Sequence, residues 1–157
     1  MKMVEKATVG ERINHWVLML SFLVLFLTGL GFAYDGTLGW INVAFGVVHL
    51  ASLIHKWVGL LFLVSVLFSV TSYLGESLRF GPEDSDWIRK RGGYFRHEEL
   101  MPQGRLNFGQ KLFYLLVLLG GLAIAVSGLI IWFGGGARGW VMFGHILHNL
   151  AFLAFAL

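Results

Sequence analysis

Cysteine is missing from this chain of 157 residues, and proline occurs only twice. Without a thiol there is no disulfide, no thiolate zinc site and no cysteine-held iron–sulfur cluster. Charge is scarce as well: Asp, Glu, Lys and Arg make up 13% of the residues, where a soluble domain has about 25%. What is left is apolar, 57% of the chain, and it is laid out in long runs. Those proportions exclude a soluble domain and predict an all-α integral membrane protein, a single domain by its length. The net charge of +3 comes from clustered bases, so it reports topology rather than nucleic-acid binding. The first apolar run is too long for a cleavable signal peptide, and no small-residue cleavage site follows it.

Four runs are read as spans. Residues 13–33 carry no charge, and about 20 apolar residues suffice to cross ~30 Å of hydrocarbon. Apolar sequence resumes from Trp40 to Leu74; at 1.5 Å per residue this would run ~50 Å, too long for one crossing. It divides into an interfacial piece at 40–48 and a second span at 49–73. The third span is placed at 111–133 and the fourth at 139–157, joined by a tight turn of three glycines and Arg138. Between the second and third spans, residues 75–106 form a polar loop, punctuated by Gly92, Gly93 and Pro102. The result is a four-transmembrane-helix bundle. Ten bases fall at one end (Lys2, Lys6, Arg12, Arg79, Arg89, Lys90, Arg91, Arg96, Arg105 and Lys111) and two, Lys56 and Arg138, at the other. Bases favour the cytoplasmic side, which puts the N-terminus and the 75–106 loop in the cytoplasm. No internal repeat is evident.

The run HLASLIHKWVGLLFLVSVLFSV, residues 49–70, organises the chain. His55 and Lys56 sit inside it, and an ionisable residue within a span is costly and is read as functional. Gly59 follows one helical turn after His55 and would clear room beside the imidazole for a flat group such as a porphyrin. The alternative is a polar residue facing the bundle, with Gly59 allowing close helix packing. Lys56 can snorkel to the nearer surface or face a haem propionate.

With no cysteine, the six histidines are the main candidates for metal ligands. His55 and His148 fall at equal depth in the outer halves of the second and fourth spans, the arrangement that clamps an iron from both sides. The alternative for His148 is an interhelical hydrogen bond. His145, one turn away, could replace it. His49 lies some 120° from the face of His55 by helix geometry and is read as interfacial or as a contact to a propionate. His97 is a loop residue or a proton carrier near a cytoplasmic site. His15 lies near the inner end of the first span. Gly29 lies fourteen residues after His15, and Ser69 fourteen after His55; both are small residues at depths that suit two stacked haems.

Four segments in order carry a family resemblance: Arg12-Ile13-Asn14-His15-Trp16, Leu53-Ile54-His55-Lys56-Trp57-Val58-Gly59, Asn107-Phe108-Gly109-Gln110-Lys111 and Ile146-Leu147-His148. Together they make the chain resemble the cytochrome b (gamma) subunit of membrane-bound respiratory formate dehydrogenases, over nearly its whole length. The related cytochrome b subunits of hydrogenases and of thiosulfate- or polysulfide-type reductases are the alternative. The resemblance implies two b haems. The outer one is held by His55 and His148. The inner one is held by His15 and a histidine fourteen residues beyond His148, at position 162, past the last residue, Leu157. The expectation is therefore that the natural chain continues, with that histidine and a basic tail. The resemblance also places a menaquinone or ubiquinone at Asn107 and Gly109, although Asn107 and Gln110 read equally as an N-cap and capping box.

The function so implied is electron transfer in the bacterial cytoplasmic (inner) membrane. An iron–sulfur beta subunit would deliver electrons to this subunit and onward to quinone. Formate oxidation would belong to a molybdenum or tungsten alpha subunit. Two other classes compete: a transporter or metal channel using the histidines, and a haem-free anchor. A channel would need a polar track, and apart from histidines the spans offer little beyond Ser21, Thr28, Ser52, Ser65, Ser69 and Ser127.

Overall fold

The computed structural model describes residues 6–94, 99–135 and 137–156, the side chain of Ala156 excepted. Helix formation follows the apolar runs. The elements are α1 (Val9–Ala33), α2 (Asp35–Leu38), α3 (Trp40–Ala44), α4 (Val47–Ser77), α5 (Pro82–Arg89), α6 (Phe108–Phe133) and α7 (Arg138–Ala156), with a 3₁₀ turn at Arg91–Gly93. There is no strand among the described residues. Lys2, Arg96, His97 and Leu157 lie outside them.

Helices α1, α4 and α6 are long and apolar enough to cross a membrane. The fourth predicted span takes shape as α7, 19 residues long. The interfacial piece at 40–48 contains the short α3, α2 lies in the loop before it, and the chain turns into α4 through Gly46 at φ 91°, a conformation glycine adopts without steric cost.

The long helices expose many of their large apolar side chains and bury several small polar ones. Trp16, Leu20, Leu23, Trp57, Val64, Phe113, Leu116 and Leu119 are exposed, whereas Ser21, Thr28, Ser65, Ser69 and Ser127 are buried. So broad an apolar surface is untenable in water and suits lipid. This is a multi-pass membrane protein. Glycines set the close approaches: a Cβ on Gly59 would meet Leu25 of α1, one on Gly121 would meet Val66 of α4, and one on Gly144 would meet Ile130 of α6. Helices α1, α4, α6 and α7 pack in that order. The ring is closed between α1 and α7 by aromatics, Phe22 with Phe155 at 5.5 Å and Phe26 with Phe152 at 5.6 Å between ring centres.

One end of the bundle gathers the N-terminal arm and the 75–106 segment. Thr8 caps α1 in a capping box with Glu11, and Glu11 forms an ion pair with Arg105. Lys6 donates to the Gly104 carbonyl at 2.6 Å. The guanidinium of Arg105 lies 5.0 Å from the ring centre of Tyr73, which stacks on Tyr114 at 4.4 Å. Asp86 accepts from the Met101 N–H at 2.9 Å and from Lys90 at 3.1 Å, and these bonds hold its carboxyl down at about 2. The two bases at the other end are Lys56 and Arg138. Lys56 reaches over the ring of Trp132, 5.8 Å from its centre.

Helix α5 was not foreseen within that loop. It is fastened to α6 by Lys111, whose ammonium donates to both oxygens of Asp84, at 2.9 and 2.7 Å, and to the Arg79 carbonyl at 2.7 Å. Both side chains are buried. Removing one partner of such a pair strands the other charge and costs about 3–5 kcal/mol. Lys111→Met should therefore lower the thermal unfolding midpoint in detergent markedly, and adding Asp84→Asn should recover part of the loss. An unchanged midpoint in Lys111→Met would show that the pair does not fasten α5.

Candidate functional site

The equal depth of His55 and His148 becomes proximity in three dimensions. Their ring centres are 6.3 Å apart, with planes at 63°. Each ring is half-buried and is held from behind by a neighbouring helix. His148 has Nδ1 3.0 Å from the Ile124 carbonyl and 3.0 Å from Ser127 Oγ, both on α6. A carbonyl only accepts, so Nδ1 carries the hydrogen and Nε2 is the bare nitrogen. His55 has Nδ1 2.7 Å from Thr28 Oγ1 on α1. The Thr28 hydroxyl donates to the Val24 carbonyl at 2.8 Å, so its oxygen accepts from His55 and the same tautomer is assigned.

Glycine completes each cradle. A Cβ on Gly29 would lie 3.8 Å from His55 Cε1, and one on Gly128 would lie 3.4 Å from His148 Cε1. The pattern is the same on both sides: a hydroxyl residue followed by glycine, Thr28-Gly29 on α1 and Ser127-Gly128 on α6, each serving the histidine of the next long helix. Sequence reasoning noted Thr28 and Ser127 only as sparse polar residues of the spans. The repeated dipeptide, one copy in each apolar helix that precedes a histidine-bearing one, was the available signal.

Two imidazoles on opposite sides of one metal, each through a metal–nitrogen bond of about 2 Å, have ring centres roughly 6 Å apart. The observed spacing and the two bare Nε2 atoms suit axial ligation of a haem iron. Among the described residues there is no group of three or more His, Cys, Asp or Glu that could hold a metal ion. A metal bound by protein alone normally needs about three or four such donors, whereas a haem iron needs only axial ones.

The remaining candidates fall elsewhere. Gly59 does not border His55; its nearest neighbour across the space a Cβ would fill is Leu25, at 3.9 Å. Its smallness serves the α1–α4 contact. His145 is exposed, its Nδ1 donating to the Val141 carbonyl at 2.8 Å, and it lines an open cavity of about 480 Å³ with Arg138, Val141, Met142 and Gly135. His49 is exposed as well. His15 is exposed and lies edge-on to Trp16. Beside it, Asn14 donates to Ser69 Oγ at 2.9 Å and to the Ser65 carbonyl at 3.1 Å, which occupies Ser69.

Asn107 and Gly109 both lie at the start of α6. Asn107 Oδ1 accepts from the Gln110 N–H at 2.9 Å, and Gln110 Oε1 accepts from the Asn107 N–H at 3.0 Å, forming the capping box. A Cβ on Gly109 would come within 3.0 Å of two ring atoms of Trp87. Glycine here admits the indole of α5. Gly109→Ala should destabilise the protein by about 1–3 kcal/mol, the usual range for overpacking, and Trp87→Leu in the same chain should relieve it. Equal unfolding midpoints for Gly109→Ala and the parent would remove the indole as the reason for this glycine.

Comparison with known proteins agrees with this architecture. Residues 6–157 match the family described as prokaryotic cytochrome b561. The chain is 31% identical over 125 residues to the cytochrome b556(fdo) subunit of Escherichia coli formate dehydrogenase, covering 80% of this chain and 58% of that protein. It is 23% identical over 133 residues to the nitrate-inducible cytochrome b556(Fdn) subunit of the same organism, covering 83% and 60%. Over 125 residues it is 26% identical to the cytochrome b556 subunit of Haemophilus influenzae formate dehydrogenase, covering 77% and 51%. The chain thus spans between half and three-fifths of the length of these relatives. With a family match that runs from Lys6 to Leu157, this multi-pass helical protein belongs to the prokaryotic cytochrome b561 family.

Proposed function

We propose that this protein is the membrane cytochrome b subunit of a formate dehydrogenase, a single bundle domain in the bacterial cytoplasmic membrane with its N-terminus in the cytoplasm. The observation that carries the proposal is the pair His55 and His148, with ring centres 6.3 Å apart, Nδ1 of each bonded to a neighbouring helix, and no group of three or more donor side chains among the described residues. This favours a haem over an ion channel. The printed names of the relatives, all formate dehydrogenase subunits, favour that complex over a hydrogenase or a thiosulfate- or polysulfide-type reductase.

In this reading His55 and His148 hold the outer b haem, α7 being the fourth crossing. Bound there, the haem supplies reversible one-electron chemistry. The protein's part is to hold both imidazoles in one tautomer and at a fixed spacing, with Phe32 edge-on to His55 at 5.7 Å between ring centres. An inner haem uses His15 as a ligand. Quinone is the substrate, menaquinone or ubiquinone, and its head group reaches the start of α6. There Asn107 would trade part of its cap for a quinone oxygen, and the helix N-terminus favours negative charge developing on that oxygen. Access to Gly109 requires Trp87 to move aside. Electrons come from an iron–sulfur beta subunit beside the outer end of the bundle, and a molybdenum or tungsten alpha subunit oxidises formate. The end rich in bases faces the cytoplasm and supplies the protons that quinone takes up.

His55→Ala and His148→Ala should each remove the outer haem, read as loss of its share of the reduced b-haem absorbance, while the protein still inserts in the membrane. His145→Ala should retain full absorbance. Full haem content in both His55→Ala and His148→Ala would overturn the pairing, and a larger loss in His145→Ala would move the ligand to that residue.

A further inference from the structure

We infer that Thr28 and Ser127 are positioning residues that set the orientation and the electron-donating strength of His55 and His148, and that Thr28 is the stronger of the two. The inference rests on the reading of these histidines as haem ligands. Both hydroxyl residues are fully buried, with 0% exposure. A buried hydroxyl in an apolar span is unfavourable unless it is bonded. Each bonds to its own helix, Thr28 to the Val24 and Leu25 carbonyls and Ser127 to the Ile124 carbonyl, and once to a histidine of the neighbouring helix. Serine and threonine in helices ordinarily satisfy themselves on their own backbone. The bond across the helix interface is what needs a reason.

Its chemical consequence follows from the tautomer. An acceptor on Nδ1–H pulls electron density toward Nε2 and makes the imidazole a stronger donor. A stronger donor favours the oxidised metal and lowers the reduction potential, axial ligands being a main lever on haem potential. The bond also restrains ring rotation, beside glycines whose missing Cβ would lie 3.8 Å from His55 Cε1 and 3.4 Å from His148 Cε1.

The two sides are unequal. His148 keeps the Ile124 carbonyl at 3.0 Å when the Ser127 hydroxyl is removed, because a backbone acceptor survives any side-chain change. The one acceptor that His55 has on Nδ1 among the described residues is Thr28, at 2.7 Å. Losing the Thr28 hydroxyl therefore leaves an N–H unpaired, whereas losing the Ser127 hydroxyl does not.

The test is a redox titration of the full-length native protein in its membrane, followed optically, with haem content measured in the same samples. Thr28→Val removes the hydroxyl at nearly constant shape, Thr28→Ser keeps it, and Ser127→Ala is the comparison. The expected result is a higher midpoint potential for the outer haem in Thr28→Val, a value close to the parent in Thr28→Ser, and a smaller rise in Ser127→Ala. Should Thr28→Val lose haem outright while Thr28→Ser retains it, the hydroxyl is likewise identified as what holds His55. Equal potentials in all four proteins would overturn the inference, as would shifts or losses of the same size in Thr28→Val and Thr28→Ser, since these would report packing alone. His55→Ala, measured in parallel, separates the two levels: full haem content there would sink the ligand reading itself, whatever Thr28 does.

Discussion

Inside a bilayer the hydrophobic effect cannot hold helices together, because lipid tails are as apolar as leucine. Association has to come from close packing and from polar groups that find no partner in lipid. The inverted pattern of this protein follows from that constraint. Leu20, Leu23, Leu116 and Leu119 point outward, and the interior is given to Ser21, Thr28, Ser65, Ser69, Ser127 and Gly121. The polar groups that would be a liability in a soluble core are here the ones that tie neighbouring helices: Thr28 to His55, Ser127 to His148, and Asn14 to Ser69. The same interactions that assemble the bundle leave one nitrogen free on each of two facing imidazoles.

The two ends of the molecule are built differently. At one end, Glu11, Arg105, Asp84 and Lys111 cross-link α1, the loop and α6 through charged groups. At the other, aromatic side chains dominate, with Trp57 against Trp132 and Lys56 laid over the latter. Trp and Lys are at home at a membrane interface, where one part of the side chain is apolar and the other wet. Between the ends, Phe22 and Phe26 of α1 pack against Phe155 and Phe152 of α7, and Phe22 meets the buried Phe62 of α4.

Much of the helical frame could be read from the chain because span length and helix rise are fixed by the bilayer and by backbone geometry. The meeting of His55 and His148 was legible for the same reason: depth along a span is countable. What counting misses is which face of one helix meets which face of another. Gly59 follows His55 by one turn, yet it faces Leu25, while Gly29 and Gly128, remote in sequence, border the two rings. Helix α5 was hidden in a polar stretch whose structure depends on distant partners, Lys111 for Asp84 and Met101 for Asp86. Gly109, read as room for a ring to approach, does admit one, but it is the indole of Trp87.

The central claim is that two imidazoles of this chain, His55 and His148, clamp one iron. Low-temperature electron paramagnetic resonance of the oxidised native protein reads the axial ligands directly. The account requires a low-spin ferric signal of bis-histidine type whose outer-haem component disappears when either His55 or His148 is replaced. A high-spin signal in the parent protein, or a low-spin signal of the outer haem that survives both replacements, would contradict it.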